Sequence, residues 1–373
     1  MNFSTIPGQQ RIKNELVAMT DNNRLPHAVL LTGPRGNGKL ALALALSSYI
    51  QCENKNGTDK CGACPACKKT DKLIHPDINF IIPVIASEQK SKSYPELLAE
   101  WRKMIIENPF SEPEDWISKM SNESNTANIN KEAINSVLEY FNYSLFEGSK
   151  KIMLIWNAEL MSNEANRLLK LIEEPPKDSV IILIAEDTSK VLKTILSRCQ
   201  IFRIPPFSDE DLEKWIRDKI HEDNNILRQM ISISEGNISK LISLSTLDQT
   251  DFFELLIKWL NTSFQGIAEN ISVFSEEFSR MPKETQKQFF HYILRFLEQV
   301  HRSFELENPD IRLNQKELDS MEKLKTLIPG KKLLLFAEEV NKNIYYIDRN
   351  ANSKLMIFET TLKLNRIFKD KSI

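Results

Sequence analysis

Apolar residues follow two regimes along this chain. Up to about residue 205, short unbroken apolar runs alternate with stretches of three-and-four spacing; beyond it only the second kind remains. The runs "HAVLLTG" (27–33), "INFIIPV" (78–84), 151–155 within "KKIMLIWNAEL", "SVIILIAE" (179–186) and "QIFRI" (200–204) have strand length and no polar alternation. That is the pattern of strands buried on both faces. Between them, helical spacing predicts helices over 10–22, 131–145, 162–176 and 189–199, with Ser162 as an N-cap and Pro175-Pro176 as a stop. The segment "KLALALALSSYIQC" (39–52) alternates Ala and Leu as a strand could, but its length and the helix propensity of both residues predict a helix. Residues 85–128 are polar and irregular, with helices expected around Leu97–Ile106 and Trp116–Met120, and "SNESNTANIN" (121–130) reads as a Ser/Asn loop.

Strands alternating with helices predict an α/β domain with a parallel sheet over 1–205. "PPFSDEDL" (205–212) punctuates the chain. Helices are expected after it at 208–220, 223–234, 236–245, 250–261, 284–303, 315–327, 331–345 and 351–368. They divide into a small helical unit, 206–247, and an all-helical domain, 248–373. The apolar stripe "FFHYILRFL" (289–297) is expected to form helical core and an interface.

Composition narrows the function classes. With 41% apolar and 27% charged residues the chain is ordinary globular protein, and its net charge of −2 argues against tight DNA binding by this chain alone. No apolar run reaches the length of a membrane span, and "MNFSTIPGQQ" has no signal-peptide core, so a cytoplasmic setting is expected. Four of the five cysteines cluster within Cys52–Cys67, which in a reducing compartment reads as metal ligation and not as disulfides.

Two motifs carry candidate chemistry. "GPRGNGKL" (33–40) matches seven of the eight positions of a phosphate loop, between a strand and a helix. Gly33, Gly36 and Gly38 would let backbone N–H groups approach phosphate, and Lys39 would reach the terminal phosphates. Leu40 stands where a hydroxyl would bind Mg²⁺, and the strand at 151–155 ends in Trp156 and Asn157 where metal-serving acids are expected. The spacing therefore leaves two readings: a passive ATP or ADP site without hydrolysis, or a glycine-rich turn without ligand. The second motif is Cys52, Cys61, Cys64 and Cys67, spaced C-x8-C-x2-C-x2-C, which suits a closed, structural tetrahedral zinc site over about 50–70. His75 is an alternative ligand.

Taken in order over residues 3–205, "GQQRIKNEL", "RLPHAVLLTGPRGNGKLALALA", the four-cysteine insertion, "NEANRLLKLIEEPP" and "ILSRCQIFRI" resemble the AAA+ clamp-loader subunits of bacterial DNA polymerase III. The helical tail ending in "NANSKLMIFETTLKL" is more distantly similar to that family's collar. The resemblance implies an AAA+ phosphate-loop domain with a zinc insertion, a helical lid and a collar that assembles with motor (tau/gamma) and delta subunits. Sliding clamp and primed DNA would be met through that complex, part of the DNA polymerase III holoenzyme. In the family, tau/gamma motors hydrolyse ATP while the delta-prime type is a stator. This chain departs from the motors at Leu40, Trp156, Asn157, Glu186 and Ser239, the last being where a motor carries its sensor arginine. It keeps Arg198 in "LSRC", which in the family acts in trans on a neighbouring ATP site. The resemblance thus implies a stator without ATPase of its own; the alternatives are a tau/gamma-type motor and a stand-alone zinc-dependent nucleic-acid binder, which the charge balance opposes.

Overall fold

The structure is a computed structural model that describes residues 1–85, 88, 92–120, 127–217, 219, 224–245, 251–305, 313, 315–328 and 330–370. The chain forms two compact units, Met1–Trp215 with Gly236–Lys240, and Ile216–Glu235 with Leu241–Ile373. Among the described residues, no helix is long and apolar enough to cross a membrane.

The strands are β1 (Ala28–Thr32), β2 (Ile78–Ile81), β3 (Val84–Ile85), β4 (Ala127–Asn128), β5 (Lys151–Trp156), β6 (Ser179–Ala185) and β7 (Gln200–Arg203). Five of them form one sheet in the order β2-β5-β6-β1-β7, every pair parallel. Every residue of β1, β5 and β6 is buried, which is why their sequences show no polar alternation. Helices of the first unit are α1 (Gln10–Asp21), α2 (Lys39–Gln51), α3 (Pro65–Asp71), α4 (Tyr94–Glu107), α5 (Pro113–Met120), α6 (Lys131–Asn142), α7 (Leu169–Glu173), α8 (Lys193–Leu196) and most of α9 (Asp209–Arg217). All thirteen residues of α2 are buried, so the Ala/Leu alternation belongs to a helix that is apolar all round.

Four expectations need correction. "INFIIPV" is not one strand. It breaks at Ile82-Pro83, since proline offers no ladder N–H, and Val84–Ile85 pairs antiparallel with Ala127–Asn128 in a separate sheet. Those two residues of the 121–130 loop are therefore strand, while 121–126 lie outside the described residues. The helix expected at 162–176 starts earlier, as a 3-10 helix Ala158–Leu168 opened by Asn157 in the left-handed region, with only Leu169–Glu173 α-helical. The Ser162 side chain, proposed as its cap, lies outside the described residues. The expected helix 189–199 is a 3-10 turn, Thr188–Lys190, followed by the four residues of α8; the Asp187 carboxylate accepts the Ser189 N–H and favours the tight turn.

The second unit is helical, with α10 (Asn224–Ser234), part of α11 (Ile238–Ser245), α12 (Phe252–Gln265), α13 (Ala268–Ser279), α14 (Lys283–Glu305), α15 (Gln315–Leu327), α16 (Gly330–Asp348) and α17 (Ser353–Lys369). Helix α13 was not among those expected, although Ile271, Phe274 and Phe278 give it a buried stripe. The core of this unit is aromatic: the Trp259 ring lies 5.9–6.0 Å from those of Phe289, Phe290 and Phe336, and its Nε1–H donates to Thr361 Oγ1 at 2.8 Å. The 289–297 stripe is thus interior, with Phe289, Phe290 and Ile293 fully buried.

Candidate functional site: the phosphate loop and the cysteine module

The loop Gly33–Gly38 joins β1 to α2, with its three glycines at positive φ. Lys39 does not extend from it. Its ammonium donates to Gly33 O (2.9 Å), Pro34 O (2.6 Å) and Asn37 Oδ1 (2.9 Å), so all three protons are used by the loop itself. Burial lowers its pKa. Asn37 Nδ2 donates to Ile204 O at 2.5 Å, fixing the loop to the end of β7. A Cβ on Gly36 would lie 1.8 Å from Asn237 Oδ1, and one on Gly33 2.1 Å from Ile204 O, so neither position can hold a side chain.

An acidic cluster covers the loop. Glu112 Oε1 accepts the Gly36 N–H at 2.7 Å. Arg35 bridges Glu114 (2.5 Å) and Glu186 (2.9 Å), and Glu159 accepts the Glu186 N–H at 3.0 Å. Burial pushes the Glu112 carboxyl up to about 7 against the pull of Lys39, and burial also raises Glu159. Ser239 Oγ donates to Asp115 Oδ2 at 3.4 Å. Glu186 is therefore a partner of Arg35, and Ser239 a partner of α5. Sequence reading missed Glu112, Glu114, Glu159 and Arg35: Glu112 lies 76 residues from Gly36, and no spacing rule spans that distance.

At the end of β5, Trp156 is buried against Trp101 of α4, ring centroids 5.8 Å apart, and Trp101 packs in turn on Phe80 at 5.3 Å. Asn157 is buried and left-handed. Aromatic packing thus fills the place where metal-serving acids were looked for, and Leu40 is buried as well.

Arg198 follows α8 at the chain segment leading into β7. Its guanidinium pairs with Glu173 Oε1 at 2.6 Å and donates to Thr194 O at 2.9 Å, with the side chain about a third exposed. The adjacent Cys199 packs on the sheet core, and burial pushes its thiol up to about 11.

Cys52 caps the end of α2, Cys64 caps the start of α3, and Cys67 lies in its first turn. The sulfurs of Cys52, Cys61, Cys64 and Cys67 all lie within 4.8 Å of one another, with Cys61 and Cys67 at 3.9 Å. A tetrahedral zinc–thiolate site has sulfur edges of about 3.8 Å, so the cluster fits a metal ion of that kind. Backbone N–H groups of Cys61, Cys64 and Cys67 donate to the sulfurs of Cys52, Cys61 and Cys64 at 3.2–3.4 Å, and those of Cys64 and Ala63 lower the Cys61 thiol to about 6. Outside the cluster, Asp59 accepts the N–H groups of Phe3 and Ser4, and buried Lys60 pairs with Asp71. His75 is not in the cluster; its Nδ1 accepts the Asp77 N–H at 3.2 Å. Asp77 itself accepts N–H groups of Phe146, Glu147 and Gly148 at 2.7–2.9 Å.

The family described as DNA polymerase III, delta subunit, matches residues 8–208, more than half of the chain. The DNA polymerase III subunit delta' of Bacillus subtilis is 28% identical over 244 residues, covering 65% of this chain and 60% of that protein. The subunit gamma of Buchnera aphidicola is 26% identical over 248 residues, covering 65% and 57%. The subunit delta' of Escherichia coli is 25% identical over 247 residues, covering 66% and 62%. The match spans about three fifths of the length of each of these relatives.

Proposed function

We propose, from the premise that this chain belongs to the DNA polymerase III delta-subunit family and is of the delta-prime type, that it serves as the stator of a sliding-clamp loader. In this reading it assembles with tau/gamma motors and a delta subunit, and through them meets the sliding clamp and primed DNA. It hydrolyses no ATP. The observation that carries this is the end of β5, where Trp156 is packed into an aromatic core and Asn157 replaces an acid. Phosphoryl transfer needs Mg²⁺ held by carboxylates and an oriented water; Trp156 and Leu40 offer no oxygen ligand, and Asn157 offers a neutral amide in place of a carboxylate.

The chain's electrostatic part is then played on a neighbour. A guanidinium is permanently charged and grips phosphate oxygens in two places, and an arginine given in trans is worth ~10³-fold or more in rate. Arg198 suits that role by its partial exposure and by partners it can exchange: Glu173 and a backbone carbonyl. The four cysteines hold a structural zinc ion, since a closed thiolate set leaves no position for a reacting water. Residues 206–247 act as a lid and 248–373 as the collar of assembly, and the setting is cytoplasmic.

The test is reconstitution with motor and delta subunits. The purified chain alone should show no Mg²⁺-dependent ATPase. Complexes carrying Arg198→Ala should assemble normally yet hydrolyse ATP more slowly at the one site facing this subunit, with clamp loading slowed in step. An ATPase rate that follows the isolated chain through purification, or unchanged rates in assembled Arg198→Ala complexes, would overturn the reading.

A further inference from the structure

Glu112, within the polar and irregular stretch 85–128, reaches the phosphate loop. Anion recognition by such a loop rests on its backbone N–H groups and its lysine. Here the Gly36 N–H is engaged by Glu112 Oε1 at 2.7 Å, and the Lys39 ammonium by three acceptors of its own loop. We propose that Glu112 is a resident anion of this loop: its carboxyl group occupies the seat a phosphate would take, and so decides that polyphosphates and nucleotides are refused.

The placement is built in. Pro113 opens α5, and proline restricts the residue before it to extended backbone. The Glu112 N–H is anchored on Asp115 Oδ2 at 2.7 Å, and the Asp115 and Trp116 N–H groups return to Glu112 O. Trp116 is fully buried and donates to Pro83 O at 2.9 Å, so α5 is fastened to the domain at its own first turn. Arg35 straps the next acid, Glu114, to Glu186 across the loop. From the other side the Ile238 N–H donates to Gly36 O at 3.0 Å. Glu112 thus reaches the loop from a fixed backbone, and a phosphate arriving there must displace it. Burial raises the Glu112 pKa, and either protonation state can accept the Gly36 N–H.

This rests on the loop as a retained phosphate cradle and not on the complex the chain joins, so it is tested on the isolated full chain. Inorganic pyrophosphate is titrated by calorimetry into the native chain, Glu112→Ala, Glu112→Gln, and Glu112→Ala combined with Lys39→Ala. The alanine variant vacates the seat. The glutamine variant keeps shape and acceptor but removes the charge, and so guards against a folding defect in the first. The native chain should bind no pyrophosphate. At least one single variant should bind it about tenfold or more tightly than native, and the double variant should lose that gain. Native binding equal to that of the variants, no gain in either folded variant, or a gain that survives Lys39→Ala would each overturn the proposal.

Discussion

At Glu112 two physical costs meet: a carboxyl group is withdrawn from water, and Lys39, which attracts it, has its protons engaged elsewhere. Its folded pKa, about 7, lies above the ordinary glutamate value of 4.5, so the folded chain binds the extra proton between those values. The contribution to stability is complete below the unfolded pKa and is lost as pH rises through about 7. Besides Lys39, the charged groups acting on it include Glu186 and Glu114, which raise its pKa, and Arg35, which pairs with both of those acids and also attracts Glu112. Glu112→Gln should therefore flatten the pH dependence of unfolding between about pH 5 and about pH 8 by on the order of 2 kcal/mol, measured by urea titration of the first unit. Arg198 presents the opposite case. Its pairing with Glu173 is exposed on both sides, and such pairs are worth about 0–1 kcal/mol. Arg198→Ala should leave the urea midpoint nearly unchanged, which keeps the reconstitution assay free of a folding effect. Residue types at motif spacing were legible in the sequence: the four cysteines do converge, and the loop does join strand to helix. The partners of those residues were not legible, because Glu112, Glu173 and Asn237 reach them through the fold.

Elements were legible where burial left one mark on consecutive positions. Strands β1, β5 and β6 are covered on both faces and read as unbroken runs. The helices expected at 162–176 and 189–199 are shorter or tighter than their spacing suggests because a left-handed Asn157 and the Asp187-to-Ser189 side-chain-to-backbone bond compete with the α-helical ladder there. Strand β5 shows what its sequence end is for. Trp156→Ala should cost about 3–5 kcal/mol through the cavity left against Trp101, read as a lowered urea midpoint with the metal content unchanged. The cysteine module behaves as an element of its own, a turn held by N–H···S bonds between α2 and α3. Cys64→Ser should release the metal, raise hydrogen exchange over about residues 50–75, and leave exchange in α12–α17 as it was; elemental analysis of native protein prepared without chelator should find zinc.

For the whole molecule, the division into two units predicts two separable unfolding transitions. The second unit depends on one aromatic cluster about Trp259, whose indole also satisfies Thr361. Trp259→Ala should lower the calorimetric transition of that unit alone, by a cost of about 3–5 kcal/mol, while the metal content and the first transition stay at native values. A shift of both transitions together would show that the units unfold as one. The sequence carried the change from α/β to all-helical in its apolar pattern, yet it passed over α13, whose Ser, Asn and Val positions have weak helix propensity and mask the Ile271–Phe274–Phe278 stripe.

The crowding around Gly33 and Gly36 has a consequence for descent. Asn237 and the Ile204 carbonyl stand where side chains would have to go, so mutation at either glycine is penalised whether or not a nucleotide ever visits. Position 40 meets no such veto, and a leucine is accommodated there in the packed interior. The signature of the loop can therefore persist for as long as its neighbours keep their places, and a pattern search will score it whether or not a nucleotide binds there.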